Sequence, residues 1–360
     1  MAGNFQKTFQ KDNQLTGIKL MRRLPRIPAH LELCPKKLVW HKVEPALGLK
    51  LKQWTKLNGD AYRMESAVTT PYGYYNIIEN QGNEYFIKIL PTETEALQSE
   101  SDKMARWLRD EGVKTSCIIA GFPRRVPNTD YLILAYNNIN GHFVKQNIDE
   151  LALIGNALGN LHTILKECKW ASSIEKSGIK RQETLTNRLI DIKNGKTFCG
   201  IPAEVHNILC HAEKDVLSVL IVDPQVIHGD VNYGNILIQE NTADVFFLDF
   251  EDSWSTWFSP LMDVAFVIER FALVSSKGDS LELSKAFTKA YFSTTNLCFT
   301  YDEQLSDILR AMSVRAMLLL SFMVELDFKK AYENEWKKFT NLYHQTIAKA
   351  DLLKSIVEAT

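Results

Sequence analysis

The sequence predicts an α+β chain in two parts, a small β-rich part followed by a larger, mostly helical one. Three observations predict it. Residues 60–90 carry aromatic and β-branched side chains in runs broken by Pro71, Gly73 and Gly82, the texture of short strands joined by turns. After Gly141 the apolar period changes, and Leu151, Ile154, Leu158, Leu161 and Leu165 recur at helical spacing. From about residue 261 onward helical patterns dominate again, as in FVIERFALV and ILRAMSVRAMLLLSFMVELDF. A chain of 360 residues, 45% hydrophobic, buries such a core without staples.

Taken in order, residues 1–50 hold ten Lys/Arg against three Asp/Glu, with Arg22, Arg23 and Arg26 clustered. Pro25, Pro28, Pro35 and Pro45 argue against long helices there. The expectation is a basic N-terminal extension, solvated or facing an anionic partner. Residues 51–137 form the small part. In YNIIENQGNEYFIKIL, Gln81-Gly82-Asn83 between two apolar runs signals a hairpin. A helix is expected over 94–110, closed by Gly112, then a strand at Tyr131–Tyr136 and a turn-rich hinge near 135–142. Residues 138–360 form the large part, with a mostly helical insertion at 170–220.

A net charge of -1 gives no global field toward nucleic acid or membrane. No apolar run reaches the roughly 18 residues of a membrane span. The start, MAGNFQKTFQKDNQ, lacks the apolar stretch of a signal peptide, so a cytoplasmic location is expected. The six cysteines contain no C-x-x-C pair and read as reduced thiols. Cys199, His206, Cys210 and His211 are close in sequence, but their spacing fits no familiar zinc pattern.

The segment His228–Glu251, HGDVNYGNILIQENTADVFFLDFE, is harder to explain as packing. Val226-Ile227 is apolar and His228-Gly229-Asp230 breaks it. Two short strands joined by a turn at 240–243 then make a hairpin, which folds Asp249 back toward Asn235. Two carboxylates and an amide gathered there are costly without positive charge, and oxygen donors of this kind suit Mg²⁺. A glycine-aspartate turn and a satisfied strand aspartate explain each residue singly but not the three together.

This pattern, H-G-D-x-x-x-x-N, an apolar strand, a turn and L-D-F-E, resembles the aminoglycoside phosphotransferase and choline kinase family, which has a bilobed protein-kinase-like fold. The resemblance covers roughly 60–345 and implies ATP and Mg²⁺ as cofactors. It makes Asp230 the catalytic base and Asn235 and Asp249 the metal ligands. Lys88, mid-strand in EYFIKIL, would bind the ATP phosphates and pair with Glu100 on the next helix, with Glu95 and Glu93 as substitutes. Backbone groups near Ala135–Asn137 would hold the adenine. The phosphate-covering loop falls in ESAVTTPYGYY, where Ser66, Thr69 and Thr70 offer hydroxyls but the protein-kinase glycines are missing. His162, in a helix ending Leu-His, reads as packed, and Asp263 as a brace at its own helix N-terminus.

The acceptor site is expected near Asp230, with Glu251, Asp252, Trp254 and Trp257 as candidates. Acidic and aromatic groups together suit a cationic small molecule with a hydroxyl, such as an amino alcohol, sugar or aminoglycoside. Two rivals stand beside this reading. A Ser/Thr protein kinase would need more than the thirteen residues between Asp249 and Asp263 for its activation segment. A catalytically silent nucleotide-binding protein would have no use for Lys88, Asp230, Asn235 and Asp249 together.

Overall fold

Along the strand Glu84–Pro91, Ile87 and Ile89 are fully buried while Phe86, Lys88 and Leu90 are half-buried. That alternation is the two-residue period of a strand with a core on one face and a second, less enclosed surface on the other. The computed structural model describes residues 40–64, 72–274, 279–326 and 332–360. The chain divides into two compact units. One contains the described residues up to Lys145 together with Tyr233–Glu251. The other contains Gln146–Asn232 and Asp252–Thr360.

The first unit is built on an antiparallel sheet of β1 (Trp40–Lys42), β2 (Gly59–Met64), β3 (Gly73–Glu79), β4 (Glu84–Pro91), β5 (Arg124–Arg125) and β6 (Tyr131–Asn137), in the order β1-β2-β3-β4-β6-β5. Tyr75, Ile77, Ile87, Ile89, Ile133 and Ala135 form the core of one face with Leu51, which comes from helix α1 (Pro45–Thr55). The expected β3–β4 hairpin closes through Glu79 N–H to Asn83 O at 2.8 Å. Helix α2 (Glu95–Asp110) ends as expected, with the Gly112 amide donating to Arg109 O. A smaller sheet orders β7 (Gly141–Phe143), β9 (Ile236–Gln239) and β10 (Val245–Phe247) as β10-β9-β7. The hairpin 236–247 therefore belongs to the first unit, although the sequence places it in the large part.

The N-terminal extension ends earlier than expected. Described structure begins at β1, and α1 starts at Pro45, a residue offered above as evidence against helix. Pro45 occupies the first helical turn, where no amide hydrogen bond is lost and the fixed φ is already helical. The arginine cluster at 22–26 lies outside the described residues.

The second unit is helical: α3 (Ile148–Lys166), α4 (Ala171–Lys193), α5 (Ala203–His211), α6 (Leu261–Val267), α7 (Ser280–Thr294), α8 (Gln304–Leu326), α9 (Glu333–Ala348) and α10 (Ala350–Glu358). A two-stranded ribbon of β8 (Gln225–Val226) and β11 (Trp257–Phe258) lies among them. Asn147 caps α3 by accepting from the Glu150 amide at 2.9 Å, and Leu151, Ile154, Leu158, Leu161 and Leu165 are all fully buried. On the same helix, a side chain at Gly155 would strike the Phe287 carbonyl, and one at Gly159 the Thr294 hydroxyl. At Gly155 helices α3 and α7 thus meet backbone to backbone. Among the described residues no helix is long and apolar enough to cross a membrane.

Candidate active site

Strand β8 delivers His228-Gly229-Asp230 from the interior of the second unit, where Val226 and Ile227 are fully buried. Gly229 has φ +85°, and an added Cβ would lie 2.6 Å from Thr256 Cγ2, so only glycine fits both the turn and the space. The loop is held from three sides. Asp263 Oδ2 accepts from the His228 amide at 2.9 Å and Oδ1 from the Gly229 amide at 3.0 Å. The Ser253 hydroxyl donates to His228 O at 3.1 Å, and the Thr256 hydroxyl to Ile227 O at 3.2 Å. Asp230, 7% exposed, accepts from Asn232 Nδ2 at 2.8 Å, and its own amide donates to His228 Nδ1 at 3.3 Å.

Asp263 is fully buried and also meets His162 Nε2 at 3.1 Å, while His162 Nδ1 lies 2.7 Å from the Tyr291 hydroxyl. The sequence reading expects Asp263 to brace its own helix. Its carboxylate instead holds the two amides of the loop that carries Asp230, with a histidine and a tyrosine fixing it from behind. Buried carboxylates are tolerated when charge-assisted bonds of this kind surround them. His162 is packed as expected, but as a member of this chain.

In the first unit, β9 and β10 pair in the register Ile236↔Phe247, and the Leu248 amide donates to Asn235 O at 2.9 Å. Asn235 and Asp249 are thereby brought to the same end of the hairpin, as the sequence predicts. Asp249 has φ +62°, a conformation that aspartate adopts more readily than most residues. Its Oδ2 lies 3.1 Å from Lys88 Nζ. The expected partner of that lysine is different: among the described residues the ion pair of Lys88 is with Asp249, not with Glu100, and Glu95 pairs with Arg125. The buried stripe of α2 is Leu97, Gln98, Ser101, Met104, Ala105 and Leu108, and Glu100 is only half-buried beside it. Gln98 is the long polar side chain on that stripe, and its amide donates to Glu251 Oε1.

Electrostatics follow from this crowding. Burial alone would push the Lys88 ammonium down, but Asp249, with Tyr136, Tyr74 and Glu251 behind it, outweighs burial and holds its pKa above the usual value. Burial, and then the Asp249 charge, push Glu251 well above the ordinary glutamate range, against Lys88. Two carboxylates thus share one lysine, and a hard cation would relieve them. Among the described residues no three His, Cys, Asp or Glu side chains gather into a metal site. A cation at Asp249 and Asn235 would complete its shell with phosphate oxygens and water, the habit of Mg²⁺.

The remaining candidates separate. Ala135 is fully buried in β6, where its carbonyl accepts from the Ile119 amide at 2.9 Å, and Asn137 is exposed at the strand end opposite Tyr85. The Ala135 carbonyl is thus engaged by its own unit. Ser66, Thr69 and Thr70 lie outside the described residues. Of the acceptor candidates, Glu251 belongs to the first unit with Gln98, whereas Asp252, Trp254 and Trp257 belong to the second. Trp254 packs on Trp170 at 4.9 Å between ring centroids, and Lys169 Nζ lies 4.6 Å over the Trp170 ring. Trp257 pairs with Val226 and rests on Gly178, where a Cβ would fall 2.5 Å from its own. The main chain and Cβ of Trp257 are thus held against β8 and α4, while the residue as a whole is half-buried. Asp252 lies against the Asp230 loop, its Cβ 3.3 Å from the Cβ position of Gly229. Sequence reasoning missed Gln98, Ser253 and the role of Asp263; none lies on a periodic pattern that names its partner.

The model of the phosphotransferase enzyme family matches residues 72–302. No curated protein sequence matches the chain. Among solved structures, an amicoumacin kinase in complex with AMP-PNP, Ca2+ and Ami is 16% identical with a TM-score of 0.52, covering 85% of this chain and 94% of its own. A macrolide 2'-phosphotransferase type I is 13% identical at TM-score 0.52, covering 83% and 97%. A spectinomycin phosphotransferase in complex with ADP and its antibiotic is 13% identical at TM-score 0.51, covering 89% and 100%. At these identities the likeness shows the fold, and it is the protein-kinase-like α+β fold expected from the sequence.

Proposed function

The chain belongs to the phosphotransferase enzyme family, and from that premise we propose that it transfers the γ-phosphate of ATP to a hydroxyl of a small molecule. Membership makes it a small-molecule kinase; the nucleotide, the metal and the residue roles are this proposal. The observation that carries it is the Lys88–Asp249 pair at 3.1 Å at the hairpin end that also bears Asn235. Phosphoryl transfer needs a cation on the phosphates and oxygen ligands for divalent metal, and these residues are the right chemical types for both.

In this reading Lys88 would bind the phosphates and Asp249 and Asn235 would hold Mg²⁺, which would supply positive charge against the phosphate oxygens. Asp230 accepts the proton of the attacking hydroxyl. Its loop is fixed by Asp263, Ser253 and Thr256, so the base is positioned before the acceptor arrives. Ser253 and Thr256 also pin the stretch after Asp252 onto that loop, which supports a small acceptor over a peptide. Intact side chains at Lys88, Asp230, Asn235 and Asp249 support an active enzyme over a silent binder. A cytoplasmic location goes with the proposal, supported by free thiols at Cys117, Cys168, Cys199, Cys210 and Cys298.

The test is a thermal-shift titration with ATP and Mg²⁺, followed by ATP turnover over amines, sugars, hydroxy acids and peptides. Metal-dependent stabilisation and turnover with a small hydroxyl compound are expected. Failure of ATP to stabilise the protein at any Mg²⁺ concentration would overturn the proposal, and turnover confined to peptides would transfer it to the protein-kinase reading.

A further inference from the structure

Arg315 lies on α8 in the second unit, with its guanidinium 4.9 Å over the Phe258 ring. Its Nε is buried without a hydrogen-bond partner, and among the described residues Arg315 joins no ion pair. Arg188 in the same unit is settled differently. It makes two bonds to Glu325, at 2.9 and 2.8 Å, with Phe198 and Phe322 on its faces at 3.9 and 3.8 Å. Arginine carries five donors in a rigid fork and keeps its charge. Leaving that Nε desolvated and unbonded is costly, which marks Arg315 as a group with a partner to gain.

Its surroundings say what kind of partner. Strand β11, which contains Phe258, pairs with β8, and β8 runs directly into His228-Gly229-Asp230. Asp252 packs against Gly229 of that same loop. Burial pushes the Arg315 guanidinium down, and Asp252 is the charge that opposes this. One guanidinium with an unused Nε donor therefore lies over the strand that pairs with β8, and one carboxylate lies against the loop that carries Asp230. Arg315 as a whole residue is only half-buried. The neighbouring Asp252 charge favours a monoanion over a dianion, and the planar fork matches a carboxylate in two-bond geometry.

We propose that Arg315 reads a carboxylate on the acceptor, so that the acceptor is a hydroxy acid, with Asp252 beside it to meet an amine or a second hydroxyl. This deepens the phosphotransfer reading and rests on it for the word acceptor. The binding site itself is testable without turnover. Binding to the full chain is measured by titration calorimetry or ligand-observed NMR for pairs that differ by one carboxylate: serine against ethanolamine, and glycerate against ethylene glycol. The acid of each pair is expected to bind about 10- to 100-fold tighter, the worth of charge-assisted bonds to a partly buried arginine. Arg315→Gln brings that ratio near one, and Arg315→Lys leaves an intermediate ratio, since charge remains without the fork. A ratio near one in the unaltered protein overturns the proposal even if Arg315→Gln does not fold. So does a ratio that survives Arg315→Gln. Tighter binding of phosphoethanolamine than of serine overturns the carboxylate assignment. Loss of ATP turnover over all acceptors would sink the phosphotransfer reading and leave a carboxylate-dependent ratio standing, so the two failures are distinguishable.

Discussion

Lys88 Nζ lies 3.1 Å from Asp249 Oδ2 although 161 residues of chain separate them. The pair joins the middle of β4 to the end of the β9–β10 hairpin inside one compact unit. It is enclosed by Tyr74 and Tyr136, and the Lys88 ammonium stands 5.8 Å from the Tyr136 ring centroid. Replacing Lys88 with Met leaves Asp249 and Glu251 facing each other without their cation. The expected cost is about 3 kcal/mol of unfolding free energy, read from urea melts at neutral pH. Asp249→Leu added to Lys88→Met should recover part of that loss, because removing both charges also removes the orphaned one.

Glu251 gives a pH dependence of known sign. Burial and Asp249 raise its folded pKa above the ordinary 4.5, so the folded state binds the extra proton. That contribution is fully present below the ordinary glutamate range and is lost as pH climbs through it toward the raised value. Unfolding free energy measured from pH 4 upward should fall across this window in the unaltered protein, and Glu251→Gln should flatten the fall. A curve that Glu251→Gln leaves unchanged would locate the slope elsewhere, with the buried Glu269, also raised by its burial, as the next group to replace.

The two aspartates of the proposed mechanism should fail differently. Asp230→Asn removes the base but keeps shape, so turnover should drop by about 10²–10⁴ while ATP and Mg²⁺ still stabilise the fold. Asp249→Ala should weaken the ATP–Mg²⁺ thermal shift itself. Equal turnover in Asp230→Asn and the unaltered enzyme would show that another group takes the proton.

Gly229→Ala combines a strained φ of +85° with a Cβ 2.6 Å from Thr256 Cγ2. A loss of about 2–4 kcal/mol is expected by thermal or urea unfolding. In a Thr256→Ser background the methyl is gone and the hydroxyl is kept, so the steric share of the loss should return while the backbone share persists.

Much of this site was readable in the residues, for reasons that are local. The hairpin register that brings Asn235 beside Leu248 and Asp249 follows from two short apolar strands and the turn between them. The placement of Lys88 opposite the core follows from the two-residue period of EYFIKIL. What was not readable depends on pairing across long stretches of chain. Nothing near Glu100 says that Lys88 finds Asp249 first, and nothing near Asp263 says that its carboxylate reaches two amides of another loop. Nothing near Trp257 says that its Cβ and main chain rest on Gly178 of α4. Pro45 misled because proline breaks a helix only after its first turn.

Gly155 and Gly159 have a consequence beyond packing. Where Gly155 lies on the Phe287 carbonyl, no rotamer is free to swing aside, and an extra methyl can be accommodated only by prying the helices apart; at Gly159 the Thr294 side chain stands in the way as well. The atoms it would strike include the main chain of Tyr291, whose phenol orients His162 behind the Asp230 loop. Two positions with no reactive group of their own thereby bear on how the loop of Asp230, the proposed base, is held. Sequence drift there should be punished in catalytic precision as well as in melting temperature.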